Sequence, residues 1–211
     1  FVPTFNSELT INNTLKNIEL ATSGLNNLKY EVLIIDDYSA KNSFDLLKRI
    51  SKNYKNVKVV RNEFNLGFCK NFIKGIDNCN NEFLMFLPAG NVINYDQIQK
   101  IISEYDKQDM LIVNYSNQIK TREISRVLIS KIFSLSVNLF FLNKIEYFNG
   151  TNIYKTELLR KIKIRSNSFI FQAEIVLKMM KMTDKFKECS VELNNIKSKN
   201  TSFFYIENIT K

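Results

Sequence analysis

"YEVLIIDDYS" (30–39) decides how this chain is read. Val32 to Ile35 are apolar without a polar interruption, and three of the four are β-branched. A short apolar run without alternation is the pattern of a strand covered on both faces, as in the parallel sheets of α/β proteins. The chain leaves that strand on two carboxylates, Asp36 and Asp37, followed by Ser39. Carboxylates in this place can accept hydrogen bonds from ribose hydroxyls or a base N–H. They can equally cap the next helix or satisfy a turn.

Working outward, the same alternation repeats through the first half. "FVPTFN" (1–6) reads as the middle of a first strand, with the natural start expected a few residues upstream. "VKVV" (57–60), "EFLMFLP" (82–88) and "DMLIVNY" (109–115) are further short strands. Between them, Leu9–Ala21, Phe44–Tyr54, Cys69–Cys79 and Tyr95–Tyr105 carry apolar residues at helical spacing. Strands separated by helices of this length imply βαβ units, a parallel sheet, and strand ends gathered at one edge where ligands bind. In the second half, 118–143 reads as mostly helical, with Arg122 and Arg126 four apart and so on one face. Residues 147–162 read as loop, short strand and helix, 169–182 as a helix, 186–193 as a strand, and 194–211 as a polar, basic and then aromatic tail. No linker interrupts the chain, so one domain is expected.

Composition narrows the chemistry. At 211 residues and 45% hydrophobic, with 17 Phe and 9 Tyr, the chain can bury a sizeable core. Its net charge of +9 calls for an anionic partner or is simply a lysine-rich solvated surface. The absence of histidine removes Ser-His-Asp and Cys-His catalysis from these 211 residues. Cys69, Cys79 and Cys189 lack CxxC spacing and read as reduced thiols, which suits a cytosolic setting. No signal-peptide pattern is read in the stretch. The apolar run 127–142 is 16 residues with Lys131 inside it, short of the ~20 needed to cross a bilayer. It is read as a core or interfacial helix.

Two more loops could carry chemistry. In "VPTFNSE" (2–8), Pro3 ends strand pairing, Asn6 or Ser7 can cap a helix, and Glu8 favours a helix start. "NLGFCKN" (65–71) is a strand–Gly–helix turn, a weak phosphate-binding signal when met alone. In order, however, "VPTFNSE", "YEVLIIDDYS", "RNEFNLGFCKNFIKGI" and "NEFLMFLPAGN" resemble the nucleotide-sugar half of the family-2 glycosyltransferases, with their GT-A fold. The second half, through "REISRVLISKIFSLSVNLFF", "YFNGTNIYKTELL", "FIFQAEIVLKMMK" and "SKNTSFFYIENI", is similar to the dolichol-phosphate mannosyltransferase-like branch.

The resemblance implies a mostly parallel α/β sheet flanked by helices, with 1–115 binding the nucleotide sugar and 116–211 the acceptor. Pro3, Thr4, Asn6 and Glu8 would line the nucleotide pocket, and Asp36 and Asp37 would meet the uracil or guanine and the ribose. Asn65, Gly67 and Lys70 would hold the phosphate side, with Ala89, Gly90 and Asn91 flooring the pocket. Arg122 and Arg126 would serve the donor and acceptor phosphates. Gln172 and Glu174 match a Q-x-E helix motif with a catalytic role, while Ser130, Ser198 and Lys199 fall to the acceptor side. The implied activity is inverting transfer from a UDP- or GDP-sugar to a polyprenyl phosphate or glycan, at the cytoplasmic membrane face, without nucleic acid.

Two departures qualify that pattern. The family's D-D-x-S-x-D is "DDYSAK" here, with Lys41 in the last acidic place. Relatives also place acids for Mg²⁺ or Mn²⁺ just after the fourth strand, where this chain has Ala89, Gly90, Asn91 and Val92. One amide oxygen, that of Asn91, is a weak ligand for such an ion. Arg122, Arg126 and Lys70 would then have to balance the leaving diphosphate. A member that binds nucleotide sugar without turnover is the alternative reading.

Overall fold

A computed structural model describes residues 1–25, 28–168 and 170–194; Ser198 and Lys199 lie outside them. Its strands are β1 (Val2–Thr4), β2 (Val32–Asp36), β3 (Val57–Arg61), β4 (Phe83–Met85), β5 (Met110–Tyr115), β6 (Ile153–Lys155) and β7 (Phe186–Val191). The helices are α1 (Ile11–Ser23), α2 (Lys41–Ser51), α3 (Phe68–Asn78), α4 (Tyr95–Glu104), α5 (Gln118–Thr121), α6 (Ile124–Phe141), α7 (Thr156–Arg160) and α8 (Phe171–Met180).

β1, β2 and β3 pair in parallel, with Val2 opposite Ile34 and Ile34 opposite Val59. A second set runs β4-β6-β5-β7. Phe1 N donates to Met85 O at 2.7 Å and Leu87 N to Phe1 O at 2.9 Å, which joins the two sets into one sheet in the order β3-β2-β1-β4-β6-β5-β7. β6 alone is antiparallel to its neighbours. All the other strands therefore end at one edge, as the βαβ pattern predicts.

The apolar runs are covered on both faces. All five residues of β2 and all six of β5 are buried. Ile34, Leu111 and Val113 pack with Ile11, Leu15, Phe44 and Ile98 on the face of α1, α2 and α4. Met110, Ile112 and Phe86 pack with Phe72, Leu159 and Phe171 on the face of α3, α7 and α8. The three cysteines are free and buried.

Several expectations need correction. The fourth strand is three residues long rather than seven, because its pairing with β6 ends at Met85 and Phe86 N turns to Asn152 O. The helical stretch 118–143 is broken at Arg122, which is extended at φ −123°, ψ 161°. Arg122 and Arg126 thus do not share one helix face. Of the core and interfacial readings of the helix that follows, α6, the core one does not hold: only Val127 and Ser134 in it are buried.

Candidate active site

The loops leaving β1, β2 and β3 form one bonded unit, and the unit begins with Asp36. Its fully buried carboxylate accepts Ser39 N at 3.1 Å and Ser39 Oγ, and lies 3.4 Å from Arg61 Nε. Ser39 Oγ in turn accepts Asn6 N at 2.8 Å, and Asn6 Oδ1 accepts Ala40 N at 3.0 Å. Arg61 also donates to Ser39 O at 2.6 Å and stacks over Phe44 and Tyr38. Thr4, at the end of β1, points its hydroxyl at Ile35 O. Glu8 accepts Ser43 Oγ at 2.5 Å, which fastens the β1–α1 loop to α2.

Asp37 does the same for the third loop. Its buried carboxylate accepts Asn62 Nδ2 at 2.8 Å, Leu66 N at 2.8 Å and Gly67 N at 2.9 Å. Asn65 adds bonds to Asp37 O and from Gly67 N. Gly67 has φ 77°, a conformation open to glycine at little cost, and it starts α3. Lys70 is exposed on that helix's first turn. Both carboxylates are therefore engaged within the protein, where they hold the loops in place. Arg61 and Asn62 were not legible as site residues, and Ser39 only as the residue following the two carboxylates. Their only signal was polar residues immediately after apolar strands.

Each of the three loops also carries an exposed aromatic ring, Phe5 at 50%, Tyr38 at 52% and Phe64 at 61% accessibility. Asn6 and Tyr38 adopt φ of 48° and 66°, left-handed values that are costly for tyrosine. Rigid loops that expose flat apolar rings at a sheet's carboxyl edge suit a planar base.

The fourth loop is held by α1. Thr14 Oγ donates to Ala89 O and accepts Asn91 N, both at 3.0 Å. Asn91, at φ 52°, turns its amide oxygen onto Asn17 Nδ2 at 2.7 Å, and its carbonyl accepts Asn194 Nδ2. A Cβ on Gly90 would meet only Val92 Cγ1 at 3.5 Å, ordinary contact, so the fold itself does not demand glycine there. Among the described residues no three of His, Cys, Asp and Glu come together. With an acid-free loop, and with the oxygens of Asp36, Asp37 and Asn91 already engaged, this donor set does not fit a divalent cation.

Arg122 stands past the carboxyl end of β5. Its guanidinium lies 5.3 Å from the ring centroid of Tyr115 and 5.7 Å from that of Tyr147, and donates to Tyr147 OH at 3.1 Å and Gln118 Oε1 at 3.4 Å. Burial pushes the Tyr115 hydroxyl up to about 12, so it stays protonated. The cage depends on the 147–152 loop. Thr151 Oγ and Tyr115 OH are 2.8 Å apart, and Asn152 Oδ1 accepts Val113 N at 2.8 Å. Gly150 presses so closely that a Cβ would fall 1.7 Å from Val113 O. Arg126 pairs with Glu123 at 3.5 Å, and Ser130 is half-buried on the same helix.

Gln172 and Glu174 belong to a different cluster. Glu174 accepts Arg165 N at 2.9 Å, Ser166 N at 2.8 Å and Lys178 Nζ at 2.5 Å. Burial raises its pKa, but the Lys178 ammonium and the two amides outweigh burial and leave it below the ordinary value. Nearby, burial lifts the Cys69 thiol to about 11, which keeps it protonated and unreactive. Glu174 thus fixes the 165–166 loop against α8. Gln172 is buried at the start of that helix.

The sequence model of Glycosyl transferase family 2 matches residues 1–165. A Methanococcus voltae protein named dolichyl N-acetyl-α-D-glucosaminyl phosphate 3-β-D-2,3-diacetamido-2,3-dideoxy-β-D-glucuronosyltransferase is 27% identical over 177 residues, covering 77% of this chain and 54% of that protein. The chain therefore spans about half the length of that relative. The structure of S. aureus TarS 1–349 in complex with UDP-GlcNAc is similar at TM-score 0.63 and 20% identity, covering 91% of this chain and 56% of that one. Mycobacterium tuberculosis glucosyl-3-phosphoglycerate synthase with Mn²⁺, UDP and glucosyl-3-phosphoglycerate gives a TM-score of 0.66 at 12% identity, over 90% and 68% of the chains.

Proposed function

The chain belongs to glycosyl transferase family 2, and on that premise we propose that it moves a sugar from a nucleoside diphosphate sugar to an anionic lipid-phosphate or glycan acceptor at the inner face of a membrane. The observation that carries the donor side is the bonded unit of three loops, tied by Asp36, Asp37 and Ser39, with one exposed aromatic ring on each. UDP is the preferred base carrier, in line with the UDP complexes of the structural relatives. The dolichyl-linked sugar phosphate in the name of the archaeal relative supports a lipid-linked acceptor.

The chemistry follows from charge. Where the acceptor is a lipid phosphate, its oxygen is already an anion, so it attacks the anomeric carbon without a histidine base. The bond from that carbon to the donor diphosphate breaks as the new C–O bond forms, and the nucleoside diphosphate leaves with the electron pair. A single displacement of this kind inverts the anomeric centre. Arg122, held between two tyrosines, offers a preorganised guanidinium to developing phosphate charge. Lys70 and Arg126 add positive charge from α3 and α6.

The acid-free loop after β4 favours one second reading, a member that binds nucleotide sugar without turnover. Assays with UDP- and GDP-sugars and polyprenyl phosphate, with EDTA or with Mn²⁺, separate the two. Release of UDP in EDTA, lost in Arg122→Ala, is the expected result. Tight UDP binding with no turnover in any condition overturns catalysis, and absence of nucleotide binding overturns the donor site.

A further inference from the structure

α6 is fastened along the domain and faces the wrong way for a soluble helix. Its inner side packs Val127, Phe133 and Val137 inward, with Phe133 edge-on to Phe148 at 6.3 Å. Its C-terminal end is pinned by Asn138, whose amide donates to Ile145 O at 2.8 Å and accepts Ile145 N at 3.1 Å. Leu142, at φ 55°, ends the helix. The outer side is a stripe of Ile124, Leu128, Ile132, Leu135, Leu139 and Leu142, spaced by three or four residues. Those side chains are 75%, 56%, 55%, 70%, 73% and 90% exposed. Ile129, Phe140 and Phe141 widen it. A contiguous apolar surface of this kind marks a contact with another apolar phase.

The charges around the stripe identify that phase. From Asn117 to Tyr147 the cations are Lys120, Arg122, Arg126, Lys131 and Lys144, and the acids are Glu123 and Glu146, a net +3. Lys131 is exposed on the helix beside the stripe. Pairing two copies face to face would set this positive rim against itself. An anionic bilayer complements it instead, taking the apolar stripe into the acyl boundary and the cations among the headgroups. The 18 residues of α6 make a rod of roughly 27 Å at 1.5 Å per residue. Packed inward at Val127, Phe133 and Val137 and pinned near its C-terminal end by Asn138, that rod would lie in the plane of a membrane rather than across it.

We propose that the outer face of α6 is a membrane-docking surface for anionic lipid, and that docking sets Arg122, just before the helix, at headgroup depth. The second half of this inference rests on the lipid-phosphate acceptor reading above. A lipid-borne phosphate would then reach the guanidinium without its chain leaving the bilayer.

Co-sedimentation with vesicles of phosphatidylglycerol and phosphatidylcholine tests the surface directly. The protein is expected to bind these vesicles, to bind pure phosphatidylcholine vesicles at least tenfold more weakly, and to lose tenfold or more of its binding in L135E/L139E. Both substituted positions are exposed, so the variant should melt as the parent does and bind UDP unchanged. A dye on Leu139→Cys, with the three native thiols buried, should be quenched by lipids brominated along the acyl chain. Absence of vesicle binding, or binding untouched by the two glutamates, overturns the proposal. So does a concentration-dependent dimer that L135E/L139E abolishes, which would make a second copy the occupant. If docking fails while UDP-sugar turnover onto a soluble acceptor persists, only this inference falls. If docking holds while UDP is not bound, only the donor reading falls.

Discussion

Replacing Asp37 by Asn separates a loop anchor from a nucleotide ligand. The wild-type carboxylate takes three N–H donors at 2.8 to 2.9 Å while 4% exposed. Hydrogen bonds to a charged partner contribute roughly 1.5–3 kcal/mol each. Asparagine keeps one oxygen for Asn62 and Leu66, but sets an NH₂ against Gly67 N, donor facing donor. Part of the loss is recovered because the Leu66 and Gly67 amides are only partly buried and can rehydrate. The net cost is about 2–3 kcal/mol, which for a chain of this size lowers Tm by roughly 5–10 °C. Asp37→Ala should cost more, about 3–5 kcal/mol, since the Asn62 amide also loses its acceptor. The β3–α3 loop then drifts from the donor edge, and UDP affinity should fall about tenfold, equivalent to 1.4 kcal/mol. Thermal unfolding and UDP calorimetry on the same preparations decide the matter. An unchanged Tm in Asp37→Asn would refute the anchoring role. If UDP binding collapses with that Tm unchanged, Asp37 is itself a ligand and the loop stands without it.

Other outcomes follow from single contacts. Gly150→Ala places a Cβ 1.7 Å from Val113 O, so it should yield little folded protein, while Gly90→Ala should change Tm by no more than a degree or two; expression and melting check both. Arg122→Lys loses the fork between Tyr115 and Tyr147, and turnover should drop about 10–100-fold with Tm nearly unchanged, read from initial rates. Chelation by EDTA should leave turnover within about twofold, because the loop after β4 supplies no acid. Glu174 has a depressed pKa when folded, so its stabilisation is present above the unfolded value of about 4.3 and fades as pH falls below it. The Tm gap between wild type and Glu174→Gln should therefore be flat from pH 6 to 8 and begin to narrow as pH falls below about 4.3.

Much of the fold was legible because apolar runs and helical spacing are local signals. β2 and β5 were readable because a strand buried on both faces must be apolar at every position. The antiparallel β6 was not, since its direction is decided by partners far away in sequence. Nor was the break at Arg122, where cation–aromatic contacts to Tyr115 and Tyr147 hold the residue in extended backbone against helical periodicity. For α6 the sequence supports a core or an interfacial helix alike. Its apolar content is high enough to suggest a core, and only the exposure of individual side chains reveals that the apolar stripe faces out.

The site was legible as a set of positions and less so as a set of roles. Asp36 and Asp37 stand at a strand end, where a carboxylate can serve a ligand or a turn, and sequence cannot separate these. The geometry gives both a structural part: Asp36 takes the Ser39 amide of its own loop and pairs with Arg61, and Asp37 takes the Leu66 and Gly67 amides of the next loop. That arrangement bears on the acid-free loop after β4. If the aspartates are committed to holding loops, they cannot also take over from the missing acids as metal ligands. In the proposed transfer, positive charge for the leaving diphosphate would then come from side chains that the fold already fixes in place. Arg122 fits that need best among the candidates, since its two tyrosines orient the guanidinium before any ligand arrives. Lys70 is solvated and free to rotate, so it contributes charge with little direction. The distinction predicts an unequal response: removing Lys70 should weaken donor binding and turnover together, whereas removing Arg122 should fall mainly on turnover.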